Sequence, residues 1–207
     1  LSTNTTSLVL PGYSLTYRDK DSELNINNGT YLQMLTQIGR EGYGSDIDFA
    51  KAVVEATLIR TFNNVHRITI RGEAGVIKTN SFDEVPTSLR FYAGGDKSVR
   101  GFDYREISPT AEVIDPETGE LIVDSIGGKY LATSSVEYAY QVADNWRVAA
   151  FVDAGTATND TSTTLTYSVG PGVHWLSPIG PVRLYVARGF APDENTWQLH
   201  ILLGPEL

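Results

Sequence analysis

The chain contains no cysteine in its 207 residues, which excludes disulfides and thiolate metal sites. It has no apolar run near the ~20 residues that a membrane-spanning helix requires. Any passage through a membrane would therefore be made by strands. Positive charge is sparse: 16 Lys and Arg stand scattered against 25 Asp and Glu, for a net charge of −9. That balance argues against a nucleic-acid partner. The opening residues, LSTNTTSLVL, lack the initiator Met, basic segment and apolar core of an export signal. For an exported protein they are not expected to be the natural beginning. Methionine occurs once, against 11 Tyr, 3 Trp and 19 Gly, a balance that suits strands better than helices.

What is present is alternation with a period of two, almost from end to end. TLTYSVGPGVHW sets Leu165, Tyr167, Val169, Pro171, Val173 and Trp175 on one face, with Thr166, Ser168, Gly170, Gly172 and His174 on the other. SSVEYAYQV sets Val136, Tyr138, Tyr140 and Val142 against Ser135, Glu137, Ala139 and Gln141. WQLHILLG sets Trp197, Leu199, Ile201 and Leu203 against Gln198, His200 and Leu202. The pattern predicts nine strands, near 7–19, 30–38, 47–62, 66–77, 129–142, 146–156, 164–176, 182–190 and 196–203. Several match the ~9–11 residues with which a tilted strand crosses a bilayer. Short links (NNV, ADN, SPIGP) alternate with longer ones at 39–46, 157–163 and 78–128. Short periplasmic turns and long external loops give outer-membrane barrels the same asymmetry.

The composition of the two faces separates a membrane barrel from a soluble sandwich. A sandwich turns large apolar side chains inward and polar ones outward. Here the polar face is small (Gly, Ser, Ala, Thr) and carries charges such as Glu137, Asp153 and Arg183 within strands. The apolar face ends in aromatics: Tyr138, Tyr140, Trp146, Trp175 and Trp197. A polar lumen and an apolar band with an aromatic girdle account for both. The expected fold is all-β, an antiparallel transmembrane barrel sheet. Nine strands are an odd number, whereas bacterial single-chain barrels are nearly always even, and an open sheet leaves two unpaired edges. The sequence is thus expected to be a piece of a larger barrel, able to self-associate through those edges.

One segment departs from the alternation. FYAGGDKSVRGFDYREISP, at 91–109, is dense in glycine, charge and aromatics. Gly94, Gly95 and Gly101 permit backbone turns closed to other residues. Val99, Phe102 and Tyr104 are expected to pack the loop onto a surface. Arg100 is the group aimed somewhere, and a guanidinium entering a lumen needs carboxylates. Alternation places Asp153, with Phe151 and Gly155, and Glu137 on the lumen face of neighbouring strands. Arg100 is therefore expected to pair with Asp153, Glu137 or both, tucking the loop inside.

This segment closely resembles the signature loop of the outer-membrane assembly-factor superfamily of the BamA/TamA type. One hallmark is the V-R-G-F/Y tip, here Val99, Arg100, Gly101 and Phe102; the other is F-x-D-x-G, here Phe151, Asp153 and Gly155. The wording around the tip and the ending GPEL are most similar to the TamA branch. The resemblance implies that residues 1–207 are the C-terminal part of a 16-stranded barrel whose POTRA domains and first strands lie outside the sequence, with 78–128 as a lumen-inserted loop. It implies a non-enzymatic protein of the bacterial outer membrane, without cofactor or metal. That protein would assist insertion of nascent barrel proteins and autotransporters and contact outer-membrane lipid and an inner-membrane-anchored TamB-like partner. The last strand, with Trp197, Leu199, Ile201 and Leu203, would flank the lateral seam. Against the family habit of ending in an aromatic, this chain ends in Leu207.

Other readings were weighed on the same residues. A two-partner-type secretion pore shares the tip motif. A lipid-modifying barrel enzyme would need a Ser–His pair; Ser168 and His174 are six residues apart, roughly 20 Å along a strand, and His200 sits in no nucleophile motif. EGYGSD at 41–46 lacks the lysine of a phosphate loop and reads as an external loop. IDPETGE at 114–120 reads as a solvated loop tip rather than a calcium site.

Overall fold

A computed structural model describes residues 6–114, 119–160, 165–192 and 195–207. Residues 115–118 of the acidic segment at 114–120, residues 161–163 of the link at 157–163 and residue 164 of the predicted seventh strand lie outside those residues. Eleven strands occur in the order β1 (Gly12–Lys20), β2 (Gly29–Gly39), β3 (Phe49–Phe62), β4 (His66–Thr79), β5 (Thr110–Ile114), β6 (Leu121–Ser125), β7 (Tyr130–Ala143), β8 (Trp146–Thr158), β9 (Thr166–Ser177), β10 (Gly180–Phe190) and β11 (Asn195–Leu203). Nine of them make one antiparallel sheet, β1-β2-β3-β4-β7-β8-β9-β10-β11, while β5 and β6 form a separate hairpin. Among the described residues β1 and β11 are the two edges.

Register keeps the two faces in phase across the whole sheet. Leu15 lies opposite Met34, and Met34 opposite Val54; Val136 lies opposite Val152, and Val152 opposite Val169. Because partners in an antiparallel ladder share a face, one surface is apolar from β1 to β11. Its side chains are exposed to the surroundings, with Val152 at 54% and Leu199 at 65%. An apolar surface this wide is not left to water, and here it is the lipid-facing side of a membrane wall. Aromatic side chains mark both ends: Trp146 stacks on Trp175 with centroids 6.2 Å apart, and Tyr167 stacks on Phe190 at 4.9 Å. At the end with short turns, Asn63 and Asn64 adopt φ of 50° and 59°. Asparagine tolerates this left-handed pair, which opens the three-residue link 63–65 between β3 and β4.

The opposite face is concave and filled from within. Phe49, Ile77, Leu131 and Ala157 of the wall pack with Val85, Phe91 and Ala93 of the connection between β4 and β7. The chain beyond β11 also turns inward, where Glu206 meets Arg67 of β4 and Arg183 of β10.

The structure corrects three expectations. The first strand begins at Gly12 rather than residue 7. Pro11 has no N–H for the ladder, and Leu8 and Leu10 pack instead against the interior apolar cluster. The connection 78–128 is not loop throughout, because its β5–β6 hairpin stands outside the inner packing, with Val123 at 70% exposure. Tyr104 does not pack the loop down but is 78% exposed. The turn that brings Asp103 O to Glu106 N–H swings it outward, where Arg105 lies over its ring.

Candidate functional site

The tip of the long connection descends to the inner face where β7, β8, β10 and β11 converge. Three glycines with positive φ shape it: Gly94 (101°), Gly95 (95°) and Gly101 (88°). At Gly101 the need is also steric, since a Cβ there would lie 2.9 Å from the Gly189 nitrogen. Turn bonds close the tip on itself, from Ser98 N–H to Gly95 O and from Gly95 N–H to Phe102 O, both at 3.1 Å.

Arg100 is 2% exposed and Asp153 is fully buried. Arg100 Nε donates to Asp153 Oδ2 and one terminal nitrogen donates to Oδ1, each at 2.8 Å. The Arg100 backbone N–H adds a third bond to Oδ2 at 3.0 Å. The other terminal nitrogen donates to Glu137 Oε2 at 2.7 Å, and the one bound to Oδ1 also donates to Ser135 Oγ at 3.2 Å. The guanidinium lies over the Phe151 ring at 3.6 Å and over Tyr185 at 4.5 Å. A buried charge is tolerated only when paired and hydrogen-bonded on all sides, and this cation is. Small lumen residues make the room: a Cβ on Gly155 would come 2.7 Å from Val99 Cγ2, and one on Gly172 would come 2.4 Å from Tyr185.

The flanks of the tip are tied to the last two strands. Phe102, 2% exposed, fills the space over Gly189. Gly101 N–H donates to His200 Nε2 at 2.7 Å, Thr196 Oγ donates to Gly101 O, and Gln198 donates to Asp103 at 2.9 Å. Arg71 of β4 donates to Lys97 O at 3.2 Å. Five wall strands, β4, β7, β8, β10 and β11, are thus joined through one loop. Trp197, Leu199, Ile201 and Leu203 all lie on the lipid side of β11 and do not touch the tip.

Sequence reasoning missed two parts of this arrangement. The sequence alone offers His200 only as a catalytic candidate without a nucleophile motif, although the alternation already sets it on the inner face of β11. His174 of β9 stands with Nε2 2.9 Å from the Tyr185 hydroxyl and 3.3 Å from Glu137 Oε1. The second part is the Glu206 cluster at the short-turn end. Arg183 Nη1 donates to Glu206 at 2.7 Å and Arg67 donates to both of its oxygens. Burial pushes the Glu206 carboxyl up, but Arg67 and Arg183 more than offset it and bring its pKa to about 2. Among the described residues no group of three His, Asp or Glu side chains is placed to hold a metal ion.

Comparison with known proteins places this geometry among relatives. A model described as the Omp85 superfamily domain matches residues 1–204. The outer membrane protein assembly factor BamA of Nitratidesulfovibrio vulgaris is 34% identical over 182 residues, 84% of this chain and 22% of that protein. BamA of Neisseria meningitidis serogroup B is 29% identical over 197 residues, 78% of this chain and 24% of that protein. The chain therefore spans less than a quarter of the length of these curated relatives. The crystal structure of BamA from Haemophilus ducreyi lacking POTRA domains 1-3 shares the fold, with a TM-score of 0.74 at 21% identity over 93% of this chain and 41% of that one.

Proposed function

The chain belongs to the Omp85 superfamily, whose relatives here are bacterial outer-membrane proteins, and from that premise we propose that it is the C-terminal wall of a barrel that assists assembly of other outer-membrane proteins. The observation that carries this reading is the placement of the loop tip. Arg100 is locked to β7 and β8 through Glu137 and Asp153, while the next residue, Gly101, is bonded to edge strand β11. A loop that holds both the wall and its free edge is suited to controlling whether that edge opens to accept an incoming strand. β11 offers the unpaired backbone groups for such pairing. Function then resides in strand templating and not in turnover, so no catalytic group is assigned.

The finer reading is a TamA-type factor, with nascent barrels and autotransporters as substrates, POTRA domains ahead of the barrel, and an inner-membrane-anchored TamB-like partner. It rests on the wording FYAGGDKSVRGFDY and the ending GPEL. The test is reconstitution of the full-length protein in lipid vesicles with an unfolded outer-membrane barrel substrate, following folding by heat-modifiable gel mobility. Faster substrate folding than in empty vesicles is expected, with an autotransporter barrel accelerated more than a simple porin. No acceleration of either would overturn the assembly reading, and equal acceleration would overturn the TamA-type one.

A further inference from the structure

His200 closes the loop from the side opposite the Arg100 cluster. It points inward from β11, directly across from Tyr185 of β10, and is 4% exposed. Its Nε2 accepts the Gly101 N–H at 2.7 Å, and its Nδ1 meets the Asp96 carboxylate. One protonation state satisfies both contacts: a neutral ring with its proton on Nδ1, donated to Asp96, and a bare Nε2. A charged imidazolium would turn an N–H toward the Gly101 N–H, donor against donor. Among the described residues the backbone of β11 is paired on one side only, so these inward side-chain bonds are its second line of attachment. Those of His200, Thr196 and Gln198 all land between residues 96 and 103.

We propose that His200 is the positioning residue that fastens edge strand β11 to the loop tip, and that the fastening holds only while its ring is neutral. Freeing the strand and freeing the tip are then one event. The use made of that event rests on the assembly reading above; the fastening itself does not. The cavity that His200 lines also carries Tyr92, Asp96, Lys97, Asp103 and Tyr104 of the loop, Glu55 of β3, Glu73 of β4 and Arg183 of β10, and Tyr185 lies across the ladder from it. The Arg100 guanidinium lies behind Tyr185.

The test reads the fastening directly, in the full-length protein in lipid vesicles with 15N-labelled histidine. The His200 signals are those that disappear in His200→Gln. At neutral pH the expected signature is a protonated Nδ1, a bare Nε2 and a Gly101 amide protected from hydrogen exchange. On acidification, protonation of Nε2 and loss of Gly101 protection should occur in one step. The side-chain oxygen in His200→Gln accepts at every pH, so Gly101 should stay protected throughout that variant's titration. A proton on Nε2 at neutral pH, or a Gly101 amide still protected once the ring is charged, would overturn the proposal. Substrate is absent from this measurement, so failure of the folding assay above leaves the result standing, and failure here leaves the assembly reading standing.

Discussion

Val99 and Gly155 share one space: a Cβ at Gly155 would lie 2.7 Å from Val99 Cγ2. The F-x-D-x-G strand thus keeps a glycine beside the loop tip so that Asp153, two residues earlier, can reach Arg100. Gly155→Val should overpack this contact at a cost of about 1–3 kcal/mol, and Val99→Ala in the same chain should recover much of it. Urea midpoints of the folded, heat-modifiable form measure both. Additive effects of the two changes would show that the residues do not share a site.

Arg100→Ala leaves Asp153 and Glu137 buried without their cation. The expected loss is on the order of 3–5 kcal/mol, the range for breaking one partner out of a buried pair. Arg100→Lys keeps the charge, but its compact ammonium cannot reproduce the two-oxygen grip on Asp153. Its stability should fall between wild type and Arg100→Ala. A lysine variant as stable as wild type would mean that charge, and not geometry, holds the tip.

Glu206 supplies a pH dependence of known sign. Its folded pKa of about 2 lies below the ordinary 4.5. Its contribution is therefore complete above about pH 4.5 and is lost as the pH falls toward 2. For a shift of this size the contribution is on the order of 3 kcal/mol. Glu206→Gln should be less stable than wild type at pH 7, and the gap should narrow between pH 4.5 and about 2. A constant gap in denaturation midpoints across that window would place the carboxylate outside the Arg67–Arg183 grip.

The two faces should answer oppositely to charge. Val136→Lys puts an ammonium in the middle of the apolar face, at a cost of about 2–4 kcal/mol at the bilayer midplane. Gln33→Lys, on the inner face of β2, should cost far less. Folding yields in vesicles compare them, and equal losses would contradict the assigned faces.

The nine wall strands were legible because a period of two survives at every position where a side chain must choose lipid or lumen. Phe151, Asp153 and Glu137 could be placed on the lumen side for the same reason, before any coordinates. The β5–β6 hairpin was not legible: its ten paired residues sit inside a polar loop and bury little, so no strong pattern was required of them. Glu206 was hidden differently. Its partners Arg67 and Arg183 belong to strands that become neighbours only through the curvature of the sheet, which alternation does not encode. Tyr104 shows the limit of composition alone, because an aromatic beside a packed tip need not pack.

The ion pair between Glu206 and Arg67 also has a mechanical meaning. Hydrogen bonds run without a break from β4 through β7, β8, β9 and β10 to β11, and the tail after β11 returns to β4 through Glu206. Those six strands form a hoop closed at the short-turn end by this ion pair, and β3, β2 and β1 continue the sheet from β4. Outward load on β11 is carried by nine paired residues along β10 and by its side-chain bonds to the loop tip, but by one carboxylate at the clasp. The hoop yields at its buckle while the band stays whole.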